Sequence, residues 1–140
     1  MPLKQHENIV VFYKKPPCYN PQMRTGFKPY KCTQGRHSSN YGDYKQGHIT
    51  ESNGDRYPVD VIEFKYDKEK LHPTQKPVEL LKYLIKTYTN EGDTVLDNCM
   101  GSGSTGVASI NTNRNFIGIE LDEKYFKIAK ERIEKISLEG

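Results

Sequence analysis

Val95-Leu96-Asp97-Asn98-Cys99-Met100-Gly101-Ser102-Gly103-Ser104-Thr105-Gly106 is the stretch around which this 140-residue chain is organised. A short apolar run meets an acidic residue, then a glycine-rich turn, then a segment that reads as a helix. Gly101, Gly103 and Gly106 keep the G-x-G-x-x-G spacing, and Glu120 closes the next apolar run, Phe116-Ile117-Gly118-Ile119-Glu120-Leu121. Glycine lets the backbone turn tightly and lets a ligand approach where a Cβ would clash. The helix that follows offers N–H groups to an electron-rich ligand. A carboxylate at the tip of the second strand, about 20 residues on, can accept hydrogen bonds from ribose hydroxyls. The stretch therefore predicts a pocket for a nucleoside-type cofactor.

Outward from this stretch the periodicity stays readable. A short helix runs to about Asn111, a strand covers 116–121, and Asp122 is placed to cap a last helix on which Tyr125, Ala129, Arg132, Ile133 and Ile136 keep the helical step. Upstream, Pro77 suits a first helical position, and Val78, Leu81, Leu84, Ile85 and Tyr88 share one face of a helix that Asn90-Glu91-Gly92-Asp93 ends. Strand, helix and strand in this order make a parallel unit. Tyr57–Phe64 reads as a further short strand. Ile9-Val10-Val11-Phe12-Tyr13, a continuous β-branched and aromatic run, reads as a strand buried on both faces.

Between these runs the pattern breaks. Prolines and glycines punctuate residues 14–58, and neither helical nor alternating period survives there. The overall charge of +3 hides a contrast. Residues 14–48 carry seven Lys or Arg against Asp43 alone, a local +6, whereas residues 91–140 carry six against nine acids, a local −3. In the basic stretch the cations are interleaved with Tyr19, Phe27, Tyr30, Tyr41 and Tyr44. Cations for phosphates and flat rings for bases make Lys15, Arg24, Lys28, Lys31, Arg36 and Lys45 candidate contacts to nucleic acid. A solvated linker anchored by its aromatics is the plainer reading of the same residues.

The remaining composition excludes several classes. No apolar run approaches the roughly 18 residues of a membrane span, and the start lacks a secretory pattern. Cys18, Cys32 and Cys99 show no C-x-x-C spacing, so neither a disulfide framework nor a metal site is predicted, and the expected compartment is a reducing cytoplasm.

At His72-Pro73-Thr74-Gln75-Lys76-Pro77, Gly101-Ser102-Gly103 and Gly118-Ile119-Glu120-Leu121-Asp122 the chain resembles the β-class DNA amino-methyltransferases. The joint occurrence of the three strings is specific. The resemblance extends from about Lys4 to Ile136 and covers the second half of the family order. It implies an α/β fold: a partial Rossmann-like methyltransferase sheet, made of a parallel β-α-β unit plus an extra strand, with an irregular basic insertion. Residues 1–13 would supply a strand of that sheet, 14–58 a target-recognition region and 59–140 the cofactor-binding core. It implies S-adenosylmethionine as cofactor, double-stranded DNA as partner, and the exocyclic amine of adenine, before cytosine, as methyl acceptor. Asp97, Gly101 and Gly103 would line the methionine end of the cofactor, with Asn98 and Ser102 beside them. Glu120 would hold the ribose, and Thr74 and Lys76 would lie near the carboxylate. Cys99 stands where the family usually has phenylalanine, and Asn98 where it often has proline.

One family motif is missing: an acidic, amide or serine residue, two prolines and an aromatic, which hold the target amine and stack on the flipped base. Lys15-Pro16-Pro17-Cys18-Tyr19 begins with a cation, which cannot accept a hydrogen bond. Asn20-Pro21-Gln22 lacks the second proline. No catalytic residue is assigned, and the chain alone is expected to be inactive. The expected partner is a second polypeptide, or self-association, that supplies the missing half. A truncated remnant that binds DNA or cofactor without catalysis is the alternative. A dehydrogenase fragment shares the glycine spacing, but Asp97 and the His72–Pro77 string argue against it.

Overall fold

The computed structural model describes residues 6–34 and 48–139. In chain order the elements are β1 (Tyr30–Gln34), β2 (His48–Ser52), α1 (Val78–Tyr88), β3 (Thr94–Asp97), α2 (Ser104–Ile110), β4 (Asn115–Gly118) and α3 (Glu123–Glu139). β3 and β4 pair in parallel, from Thr94 opposite Asn115 to Asp97 opposite Gly118. This register brings both strand ends to one edge, where the glycine turn leaves β3 and Glu120 follows β4. The α/β class and the parallel β-α-β unit are as expected.

α2 is the centre of this unit and packs against α1, α3, β3 and β4. Its sequence, Ser-Thr-Gly-Val-Ala-Ser-Ile, is a poor helix former. Packing holds it instead. Val107 and Ala108 are buried, and the fully buried Ser109 donates its hydroxyl to the Thr105 carbonyl at 2.8 Å. Small side chains let the neighbours close in: a Cβ at Gly106 would collide with Ile133 of α3 and Phe116 of β4. Ile85, Met100 and Ala129 complete a small apolar core.

The helix ends are closed by distant residues. α1 begins at Val78, with Pro77 extended (φ −59°, ψ 131°) as its N-cap, one residue later than expected. Pro77 has no cap side chain to offer, and the Val78 N–H donates instead to Asp67 Oδ1 at 3.2 Å. At the other end of α1 the Asn20 amide donates to the carbonyls of Lys86 and Thr89 at 3.3 and 3.0 Å, and its backbone N–H donates to Thr87 at 2.7 Å. The buried Arg114 reaches the same end, donating to Thr89 Oγ1 at 3.0 Å and to the Thr89 carbonyl at 2.8 Å, and it also bonds the Thr112 carbonyl. A cation against the carbonyl end of a helix opposes the negative pole of its dipole. Asp122 caps α3 as expected, accepting from the N–H groups of Lys124 and Tyr125 at 2.9 and 3.1 Å.

Three expectations are corrected. Residues 9–13 form no strand and lie exposed, Phe12 at 90 %. Strand propensity needs a neighbour to be realised, and among the described residues no strand pairs with this run. Residues 57–64 run irregularly for the same reason. The basic region, conversely, is not wholly irregular. β1 and β2 pair antiparallel, with Lys31 opposite Glu51 in an ion pair. Arg56 braces this hairpin: it stacks 4.5 Å from the Tyr30 ring centre and 5.4 Å from that of Phe27, and it donates to Ser52 Oγ and to the Lys28 carbonyl.

Candidate functional site

The site is the turn that joins β3 to α2. Gly101 (φ +53°) and Gly103 (φ +78°, the N-cap of α2) both take left-handed backbone, which residues with a Cβ adopt at a cost. The two glycines face different neighbours. A Cβ at Gly101 would meet the His72 ring at 3.5 Å, an ordinary contact, so the backbone angle is what demands glycine there. A Cβ at Gly103 would stand 2.8 Å from the Ala129 Cβ, so α3 itself fills the space that a side chain would need.

Two carboxylates converge on this turn. Asp97 ends β3 and accepts the Thr105 hydroxyl at 2.6 Å and the Cys99 N–H at 3.1 Å. Glu120 reaches across from β4: Oε1 accepts the Asp122 N–H at 3.0 Å and Oε2 the Gly101 N–H at 2.7 Å. These backbone donors, Asp122 first and then Gly101, hold its carboxyl below the ordinary glutamate range. The sequence places Glu120 near the turn by spacing alone, and the structure joins it to the turn by a hydrogen bond.

Ser102, 3 % exposed, is gripped from two sides. Its hydroxyl donates to Gln75 Oε1 at 3.3 Å, while its carbonyl accepts Arg132 Nη1 from α3 at 2.6 Å. Burial pulls the Arg132 guanidinium below its usual value, and Asp67 and Glu69 act to raise it. Gln75 and Arg132 were not among the expected site residues. Arg132 did leave a signal: a cation standing inside the apolar stripe of α3.

The His72–Pro77 string lies against the turn through His72 and Gln75. The His72 ring meets Tyr125 edge-on, with centres 4.3 Å apart, and its Nδ1 takes the Thr74 N–H at 3.2 Å with the Thr74 hydroxyl at 3.1 Å. Lys76 instead pairs with Glu7 at 2.7 Å, a bond that raises its ammonium above the ordinary lysine range. Both border a cleft of about 470 Å³ lined by Glu7, Tyr66, Asp67, Thr74, Gln75 and Lys76. The structure thus brings Asp97, Gly101, Ser102, Gly103 and Glu120 together, with Asn98 exposed beside them. Thr74 and Lys76 border the neighbouring cleft.

The expected DNA contacts divide. Lys15 and Lys28 are exposed. Lys31 is paired with Glu51, and Arg24 stacks on Phe27 at 5.3 Å while donating to the Tyr57 carbonyl at 3.1 Å. Arg36 and Lys45 lie outside the described residues.

A glycine turn at the carboxyl edge of a parallel strand pair, with an acid across it, defines the class: an α/β domain with a Rossmann-like β-α-β unit. Comparison with known proteins narrows this to a family. Residues 2–131 match the N6/N4 DNA methylases, and the chain belongs to that family. The type II methyltransferase M2.DpnII of Streptococcus pneumoniae is 51 % identical over 63 residues, which are 45 % of this chain and 24 % of that protein. The type II methyltransferase M.HpaI of Haemophilus parainfluenzae is 31 % identical over 134 residues, 93 % of this chain and 38 % of that protein. The solved PvuII DNA methyltransferase, a cytosine-N4-specific protein, superposes with a TM-score of 0.50 at 23 % identity over 57 % of this chain and 36 % of its own, a likeness of fold. The chain spans well under half the length of these curated relatives.

Proposed function

We propose that this chain carries the methyl-donor pocket, and part of the DNA-facing surface, of an S-adenosylmethionine-dependent DNA amino-methyltransferase. The observation that carries the reading is the meeting of Asp97 and Glu120 at the glycine turn. The residues fit the donor. Both Glu120 oxygens accept backbone N–H groups, and the carboxylate retains acceptor capacity for a sugar hydroxyl. Asp97 presents an anion, already oriented by Thr105 and Cys99, to a ligand that bears an ammonium and a sulfonium. When bound, S-adenosylmethionine supplies the activated methyl group. The chain's own residues bind and orient it, and adenine is the first acceptor to test. Calorimetric titration with S-adenosylmethionine and with a nicotinamide dinucleotide tests this reading. Binding of the dinucleotide alone would reverse it.

The open face of the strand pair supports the further proposal that more polypeptide completes the enzyme. Leu96, Ile117 and Ile119 are exposed at 62, 54 and 55 %, whereas parallel strands are ordinarily covered on both faces. The covering part would bring the group that holds the target amine. Sedimentation of the purified chain should reveal association, and a stable monomer whose sheet is complete and well covered would count against it. On the DNA side, Lys15 and Lys28 are exposed. In the assembled enzyme, replacing either with alanine should weaken DNA binding across sequences and lower its salt dependence by about one ion. An unchanged salt dependence would remove the lysine from the interface.

A further inference from the structure

We propose that Gln75 is a positioning residue that fixes the glycine turn for its ligand, an inference that rests on the donor-pocket reading above. Its side chain makes four hydrogen bonds. Oε1 accepts the Leu71 N–H at 2.9 Å and the Ser102 hydroxyl at 3.3 Å. Nε2 donates to Asp67 Oδ2 and to the Glu69 carbonyl, both at 3.0 Å. An amide has two donors and two acceptor positions, and all are committed. The orientation is fixed by chemistry: the reversed amide would set its NH2 against the Leu71 N–H and its oxygen against the Asp67 carboxylate.

The consequence lies in what these partners hold. Asp67 also accepts the first N–H of α1, and the Ser102 carbonyl accepts Arg132 of α3. Gln75 is therefore the group through which the start of α1 and the turn share one geometry. Ser102 sits between Gly101, whose N–H meets Glu120, and Gly103, whose N–H closes on the Met100 carbonyl at 2.9 Å. Releasing Gln75 leaves Ser102 held from α3 alone and lets both glycine amides drift from the positions a ligand would meet.

Gln75→Glu tests this in the full chain. It keeps the acceptor for Leu71 and Ser102 but sets a second carboxylate 3.0 Å from that of Asp67. Protonation at lower pH restores a donor toward Asp67. Charged or titratable groups nearby are Tyr66, Asp67, Glu69, Lys70, His72 and Lys76 on the same segment, Glu7 across the cleft, Tyr125 and Arg132 from α3 and Glu120 across the turn. Unmutated chain measured at each pH accounts for their titration. At about pH 8 the variant should exchange the amide hydrogens of residues 101–103 about tenfold faster and bind S-adenosylmethionine about tenfold more weakly, with most of the loss recovered near pH 5.5. Unchanged exchange at these amides, or a loss that acid does not restore, would overturn the proposal. Should the variant fail to fold, Ser102→Ala removes the hydroxyl that reaches Gln75, with its 3.3 Å bond from Arg132, while the Arg132 bond to the Ser102 carbonyl stays; it should speed the same amides severalfold, and protection equal to the unmutated chain would again overturn the proposal. Unmutated chain that binds no donor sinks the pocket reading instead, and the exchange measurement still decides the role of Gln75.

Discussion

Residues 94–139 and residues 6–64 meet the same demand, partners for their backbone polar groups, in different ways. The first region uses regular elements laid so close that side chains must be absent: Gly103 against Ala129, Gly106 against Ile133 and Phe116. The second, over its described residues 6–34 and 48–64, has little regular structure. It is held by side chains reaching to backbone, Asn20 on the end of α1 and Arg56 on the Lys28 carbonyl, with rings stacked on guanidinium groups. Close packing tolerates no added volume, whereas a network of surface hydrogen bonds loses its members one at a time.

The largest test of that contrast is Gly103→Ala. Left-handed backbone costs about 1–2 kcal/mol for a residue with a Cβ, and overpacking against Ala129 adds about 1–3 kcal/mol. Urea unfolding should therefore show a loss of about 3 kcal/mol, and a loss under about 1 kcal/mol would mean that α3 yields easily. Next comes Arg114→Met, which keeps the apolar stem and strips the donors from Thr89 and Thr112. It should cost about 2 kcal/mol in the same assay, since buried carbonyls lose charged donors. Asn20→Ala, across the same helix end, should cost about 1 kcal/mol and admit proteases between residues 14 and 34. If Asn20→Ala cost as much as Gly103→Ala, the two regions would not differ as described.

The smallest effect is one of pH. Glu120 has its folded pKa lowered by the Asp122 and Gly101 amides, so its contribution is present above the ordinary glutamate pKa and fades as pH falls through the lowered value. The Gly101 amide resonance should titrate with a midpoint below that of an unperturbed glutamate. A midpoint at or above the ordinary range would detach Glu120 from the turn.

What was legible in the sequence follows the same division. Helices α1 and α3, the Asp122 cap and the parallel pair could be read because their signals are local: apolar spacing, a cap residue, glycine beside an apolar run. Ile9–Tyr13 misled, because a β-branched run becomes a strand only beside another strand. The β1–β2 pair was hidden, because Tyr-Lys-Cys-Thr-Gln offers only Tyr30 and Cys32 in alternation, too short a signal, and owes its register to cross-strand pairing. Within the site, Asp97 and Glu120 stood out as acids at strand ends. Gln75 did not, since its four partners become neighbours only after folding.

The contacts of Gly103 and Gly106 have a bearing on descent. Both positions lack side chains because α3, and for Gly106 also β4, press on them, a mechanical need that would outlast any loss of the reaction. In a degenerate cousin with no working pocket, the glycine spelling would persist as a fossil of the architecture.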